Sequence, residues 1–116
     1  MASLTTHVLD TSLGRPAKGL RLSLYQITED AETLLGQFTT NADGRVDQKL
    51  IDAPGSGQGY YRLVFHAGEY LRKSDKAATN PLFLDDIPIQ FGISEDNHYH
   101  VPLLLSPYGY STYRGS

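Results

Sequence analysis

The chain contains no cysteine and no tryptophan, and Met1 is its single methionine. Without cysteine there is no disulfide framework, no thiolate metal site and no cysteine nucleophile. Any chemistry must therefore come from imidazole, guanidinium, hydroxyl or carboxylate groups. An excess of positive charge is missing too: ten Lys and Arg stand against 13 Asp and Glu, for a formal net charge of −3. The cations are scattered, with no basic stripe interleaved with aromatics, so a nucleic-acid partner has no footprint. Long apolar runs are also absent. The longest stretch, around Val101 to Leu105, falls far short of the ~20 residues a membrane span needs. The start, from Met1 to Asp10, lacks a basic segment followed by an apolar one. No signal peptide is read there, and the expectation is a cytoplasmic protein with no membrane partner.

What is present suffices for a core. The chain has 116 residues, 40% of them hydrophobic, which fits one domain spanning 1–116. A domain this small leaves apolar surface uncovered, which favours association with copies of itself.

Alternation with a period of two dominates. Leu20, Leu22 and Leu24 alternate with Arg21, Ser23 and Tyr25, as do Tyr61, Leu63 and Phe65 with Arg62, Val64 and His66. Ile87, Ile89, Phe91 and Ile93 mark a further strand, interrupted by Pro88, which favours a sheet edge or an off-ladder position. Asn41 to Gly44 is a turn signal, and predicts a hairpin between Leu34–Thr40 and Val46–Leu50. Ser106 to Gly109 predicts a second turn, joining His98–Leu105 to Tyr110–Arg114. His66 to Lys76 carries good helix formers and predicts one short surface helix. Asp52 to Gly59 is a glycine-rich connection without the lysine of a phosphate cradle. The expected fold is thus all-β, a two-sheet sandwich of about eight short strands with one helix.

Strand parity sorts the polar side chains. In His98–Leu105, the residues Tyr99, Val101, Leu103 and Leu105 form a continuous apolar face, which places His98, His100, Pro102 and Leu104 outward. His98 falls at the frayed start of the strand, beside Ser94 to Asn97, whereas His100 sits deeper, among apolar neighbours. In the first strand Leu4, Thr6 and Val8 face one way and Thr5, His7 and Leu9 the other. Ser111 and Tyr113 share one side of the last strand. Arg45 follows the first turn. Taken singly, a strand histidine or a turn arginine is ordinarily a solvated or hydrogen-bonded residue, and spacing alone does not bring these together. His98 and His100 form an HxH pair that zinc can use. With no third ligand at a convincing distance from the pair, a metal-free site is the expectation. Neither a GxSxG elbow nor an HExxH helix occurs.

Three segments go further. Thr6 to Ala17 (THVLDTSLGRPA), Ala42 to Arg45 (ADGR) and the run from His98 through the closing Tyr113 to Ser116 (YRGS) resemble the signatures of the transthyretin-related 5-hydroxyisourate hydrolases. The resemblance implies a transthyretin-like sandwich assembled as a homotetramer, a dimer of dimers, with active sites in the channel between the dimers. It implies that His7, Arg45 and His100 are catalytic, that Tyr113, Ser111 and Ser116 contact substrate, and that no cofactor is needed. It also implies the reaction, which opens the ring of 5-hydroxyisourate with water during urate degradation. That chemistry needs a base for water, a cation for the substrate and an acid for the leaving nitrogen. His7 and His100 both qualify as the base, and the sequence does not choose between them. Transthyretin, the hormone carrier of the same fold, lacks the histidine pair, the turn arginine and the YRGS ending. A non-catalytic small-molecule carrier is therefore the alternative reading, ahead of a structural sandwich and a zinc hydrolase.

Overall fold

The computed structural model describes residues 2–52, 57–74 and 79–115. In chain order the strands are β1 (Ser3–Thr5), β2 (Val8–Asp10), β3 (Arg15–Pro16), β4 (Arg21–Ile27), β5 (Glu32–Thr39), β6 (Ile51–Asp52) and β7 (Gly59–His66). Helix α1 (Ala67–Ser74) follows, then β8 (Asp86–Ile93), β9 (His98–His100), β10 (Leu103–Ser106) and β11 (Gly109–Thr112).

One layer is the antiparallel sheet β5-β4-β7-β8; the other consists of β6-β1-β9 and β11-β10-β2-β3. The second layer is read as two sheets, yet a single register runs through it. Thr5 pairs with His100 and Val8 with Leu103, both in parallel and at the same offset. Backbone bonds from Val101 N to Thr5 O and from Leu103 N to His7 O fill the gap. The interruption falls at Pro102, which has no N–H to give on its β11 side. The strand expected from His98 to Leu105 is therefore split into β9 and β10, and Pro102, although on the outward parity, is buried. The remaining parity holds: Leu4, Thr6, Val8, Tyr99, Val101, Leu103 and Leu105 are buried. They meet Leu22, Leu24, Tyr61, Leu63, Phe65, Ile87 and Ile93 from the other layer in one core cluster. Each such aliphatic or aromatic side chain contributes about 1.5–3 kcal/mol by leaving water.

The expected edge position of Pro88 is borne out, since β8 is the last strand of its sheet and Pro88 is exposed on it. The turn after β10 also forms, with Leu105 opposite Tyr110 and Ser106 opposite Gly109. The expected hairpin between Leu34–Thr40 and Val46–Leu50 does not form. β5 pairs instead with β4, from Arg21 opposite Thr39 to Ile27 opposite Glu32. The buried Thr40 ties the end of β5 to the start of β4: its hydroxyl donates to Ala17 O (2.7 Å) and accepts from Leu20 N (2.9 Å). Asn41 to Gly44 then turns the chain into the other layer, with Gly44 at φ 75°, a left-handed conformation that glycine adopts without strain. Past the turn Arg45 bridges to His7, and Leu50 N donates to Leu4 O. The predicted helix is observed as α1, while Asp75 and Lys76, placed in it from the sequence, lie outside the described residues. The same holds for residues 53–56 of the glycine-rich connection.

One buried carboxylate ties the second layer to the helix. Asp10 accepts from Tyr70 OH (2.7 Å), Ser12 Oγ (2.7 Å), Ser12 N (3.1 Å) and Leu13 N (3.1 Å). Burial pushes its pKa up, but the four donors together outweigh burial and hold it below the ordinary 3.8. Burial and the Asp10 carboxylate in turn push the Tyr70 phenol well up. Tyr70→Phe removes one donor and is expected to cost about 1–3 kcal/mol in urea unfolding. The folded-state pKa of Asp10 is depressed, so its stabilisation is complete above 3.8 and lost as pH falls through the lower folded value. The acid limb of the stability curve should accordingly flatten in Asp10→Asn.

Candidate active site

The register of the second layer sets its outward face in rows. Arg45 bridges to His7, and continuing the observed registers places Pro102 beside His7 and Tyr113 beside Pro102. The adjacent row is Thr5, His100 and Gly115, from the Thr5–His100 pairing and the His100–Gly115 bridge. On the other side lies the row Leu9, Leu104 and Ser111. Paired residues share a face, and rows two residues apart lie roughly 7 Å from one another. His7 and His100 are thus diagonal neighbours, with Arg45 flanking the first and the C-terminal segment flanking the second. Of the four histidines His66 alone stands in the other layer, bonded to Ser23 Oγ (2.9 Å) and Asp86 (3.1 Å).

Electrostatics agree with this placement. Partial burial lowers the pKa of His100 below 6.5, and the nearby charges of Arg45, His7 and His98 lower it further, while Thr5 pulls the other way. His100 is therefore neutral at physiological pH, the form in which imidazole accepts a proton. Its Nδ1 lies 2.9 Å from Thr5 Oγ1, and its Nε2 makes no hydrogen bond among the described residues. Arg45 is exposed, and among the described residues its guanidinium forms no ion pair. A cation without a carboxylate partner is free to receive an anionic, planar ligand through its forked donors.

Both motif glycines seat an imidazole. A Cβ on Gly44 would collide with Val8 O and stand 3.3 Å from His7 Cδ2. One on Gly115 would stand 2.6 Å from His100 Cδ2 and 3.2 Å from its Cβ. The ADGR and closing YRGS segments thus pack their backbones directly against the two histidines, which only glycine permits.

Of the substrate-contact residues expected from the sequence, Ser111 falls in the row beside Leu104, and Tyr113 is 60% exposed, so its ring is available to a ligand. Ser116 lies outside the described residues. Three features had no sequence reading. Thr5 bridges His98 and His100, and Ser3 Oγ lies 2.6 Å from His98 Nδ1. Arg114 stacks its guanidinium 4.1 Å over the Tyr99 ring, which anchors the tail immediately before Gly115. The signal for Thr5 was its parity with His7; its partners 95 residues away in the chain were not visible. The HxH pair bonds hydroxyls, and among the described residues no group of three or more His, Cys, Asp or Glu is arranged to hold a metal ion.

A two-sheet sandwich bearing on one outward face two imidazoles and a guanidinium, unpaired among the described residues, defines a transthyretin-like scaffold with a polar site. The chain belongs to the HIUase/Transthyretin family, whose match covers residues 4–115. It is 58% identical over 114 residues to 5-hydroxyisourate hydrolase 2 of Rhizobium meliloti (strain 1021), covering 97% of this chain and 95% of that one. Among solved structures it is similar to the Klebsiella pneumoniae 5-hydroxyisourate hydrolase, with a TM-score of 0.82, 36% identity and full coverage of both chains. It is also similar to sea bream transthyretin in complex with thyroxine, with a TM-score of 0.86 and 28% identity, covering 97% of this chain and 93% of that one.

Arg45→Met removes a cation that disfavours the imidazolium, so the His100 pKa should rise toward 6.5 in an NMR titration of the ring protons. An unmoved titration would mean that the guanidinium does not act on His100. Gly115→Ala should cost about 1–3 kcal/mol through overpacking against that ring, read from denaturant midpoints.

Proposed function

We propose that the chain hydrolyses 5-hydroxyisourate. Water attacks a ring carbonyl, the six-membered ring opens, and 2-oxo-4-hydroxy-4-carboxy-5-ureidoimidazoline is formed in urate degradation. The observation that carries this reading is the convergence of His7, Arg45 and His100, from three separate motifs, on one outward face. The high identity to a protein named for this activity supports it. A non-catalytic carrier of the transthyretin type shares the scaffold, but the identity to transthyretin is only 28%, and the polar side chains of this face serve hydrolysis rather than a large aromatic ligand.

In this reading Arg45 receives the planar substrate and stabilises charge developing on oxygen. His100, held neutral by burial and by its cationic neighbours, takes a proton from water. His7 gives a proton to the leaving nitrogen and is recharged by the proton of the newly formed carboxyl group, which leaves as carboxylate. Tyr113, Ser111 and Ser116 wall the substrate. We further assign the chain to the cytoplasm and to a homotetramer, a dimer of dimers. Edge strands β8 and β11 support association, because each presents unpaired backbone groups along one side. So do the exposed rings of Tyr108, Tyr110 and Tyr113. Among the described residues no helix is long and apolar enough to cross a membrane.

The test generates 5-hydroxyisourate in situ from urate with urate oxidase and follows its ultraviolet absorbance against spontaneous decay. Strong acceleration is expected, with His100→Asn lowering the rate by ~10²–10⁴-fold and leaving the oligomer seen in sedimentation unchanged. Removal of the last four residues should abolish turnover without unfolding the sandwich. Decay at the background rate from folded protein would overturn the assignment and bring the carrier reading forward.

A further inference from the structure

Ring opening by water does more than move a proton from one heavy atom to another. Water plus the cyclic amide gives a carboxylate and an N–H group, so one of the two water protons ends on nitrogen. The other must leave the protein in every turnover. His100, which takes the first proton in the proposed mechanism, is only partly exposed, and its cationic neighbours Arg45 and His7 disfavour storing charge there. An exit for the proton is needed, and the outward face carries a continuous set of exchangeable groups leading away from the substrate side.

His100 Nδ1 lies 2.9 Å from Thr5 Oγ1, and the same oxygen lies 3.2 Å from His98 Nε2. His98 Nδ1 is 2.6 Å from Ser3 Oγ. His98 is exposed, and it lines an open pocket of about 470 Å³ together with Asn97, Arg114 and Gly115. A threonine hydroxyl has one proton to give and lone pairs to accept with, so a single hydroxyl can link two rings in only one sense at a time. If each ring carries its proton on Nδ1, the pattern is consistent throughout. His98 then donates to Ser3, His100 donates to Thr5, Thr5 donates to His98 Nε2, and His100 Nε2 keeps a free lone pair. That tautomer is also the one a base at His100 requires.

We propose that Thr5 and His98 form a proton relay that carries the surplus proton from His100 to solvent, an inference that rests on His100 being the base. As water attacks, its O–H bond breaks and an N–H bond forms at His100 Nε2. The Nδ1 proton of His100 passes to Thr5 Oγ1, and the Thr5 hydroxyl proton passes to His98 Nε2. His98 becomes an imidazolium while His100 stays neutral, and the exposed imidazolium releases its proton into the pocket. Once product has left, His100 Nε2 gives its proton to water re-entering the site, and one proton taken up at His98 returns through Thr5 to His100 Nδ1, which restores the starting tautomers with a net release of one proton per turnover. Ser3 holds the His98 ring in place. The HxH spacing thereby acquires a purpose that does not involve a metal: alternate residues of one strand share a face, and a threonine on the neighbouring strand lies between them.

The test measures single-turnover rates at saturating substrate in Thr5→Val, His98→Gln and the double variant. Each single variant should slow the chemical step about tenfold, below the full loss of a general base, with half-saturation changed less than about twofold. The double variant should be no slower than the singles, because both interrupt one path. Added imidazole should restore His98→Gln, since a free imidazole can occupy the open pocket and accept from Thr5. It should leave Thr5→Val slow, and Thr5→Ser should recover most of the loss. Wild-type rates in both single variants, or multiplicative losses that imidazole does not restore, would overturn the relay and leave a latch that only orients the rings. If His100→Asn is inactive while both relay variants are normal, the relay alone falls. If His100→Asn turns over normally, the base assignment falls and takes the relay with it.

Discussion

The parallel pairing of the first strand run with the ninth and tenth strands is the constraint on which the rest depends. It joins segments 95 residues apart in the chain, so every functional row on the outward face inherits its alignment from one register. A shift by one residue would turn His7 and His100 inward and Leu4 and Val101 outward. The core therefore fixes the site indirectly. The apolar parity of Leu4, Val8, Tyr99, Leu103 and Leu105 excludes every odd shift of register, and the polar residues between them have no choice of face.

Loops then complete what the strands begin. The turn ending at Gly44 delivers Arg45 beside His7, and the segment around Gly115 closes over His100, with Arg114 clamped on Tyr99. Both approaches need a bare backbone at the point of contact. The two glycines belong to the site as much as the charged residues do, although neither carries a reactive atom.

Much of this was legible in the chain itself. Alternation identified the buried and outward faces, including those of His7 and His100, because burial of one face is what a strand sequence records most directly. Pro88 marked an edge for the simple reason that it lacks a donor. The failures have equally plain causes. Asn41 to Gly44 is a genuine turn signal, but a turn does not say which sheet its far arm joins; Thr40, bonded to Ala17 and Leu20, decides that by holding the end of β5 against β4. Pro102 broke a run that apolar content made look continuous. His98 looked like a frayed strand end because its partners, Ser3 and Thr5, are distant in sequence and carry only hydroxyls, the least conspicuous of polar groups.

The long parallel closure also has a consequence for how the protein is made. Synthesis runs from the first strand to the last, so β1 and β2 emerge well before the strands that flank them in the finished sheet. At ordinary translation rates the wait for 95 further residues is on the order of 5–20 s. Throughout that interval the side of the β1 and β2 backbone that β9 and β10 will occupy has no neighbour. The outer sheet, built from hairpins of adjacent segments, has time to form and offer its apolar face in the meantime. The face proposed to hold the site is the last part of the molecule to be completed, and a ribosome that stops early releases a chain in which that face is never assembled.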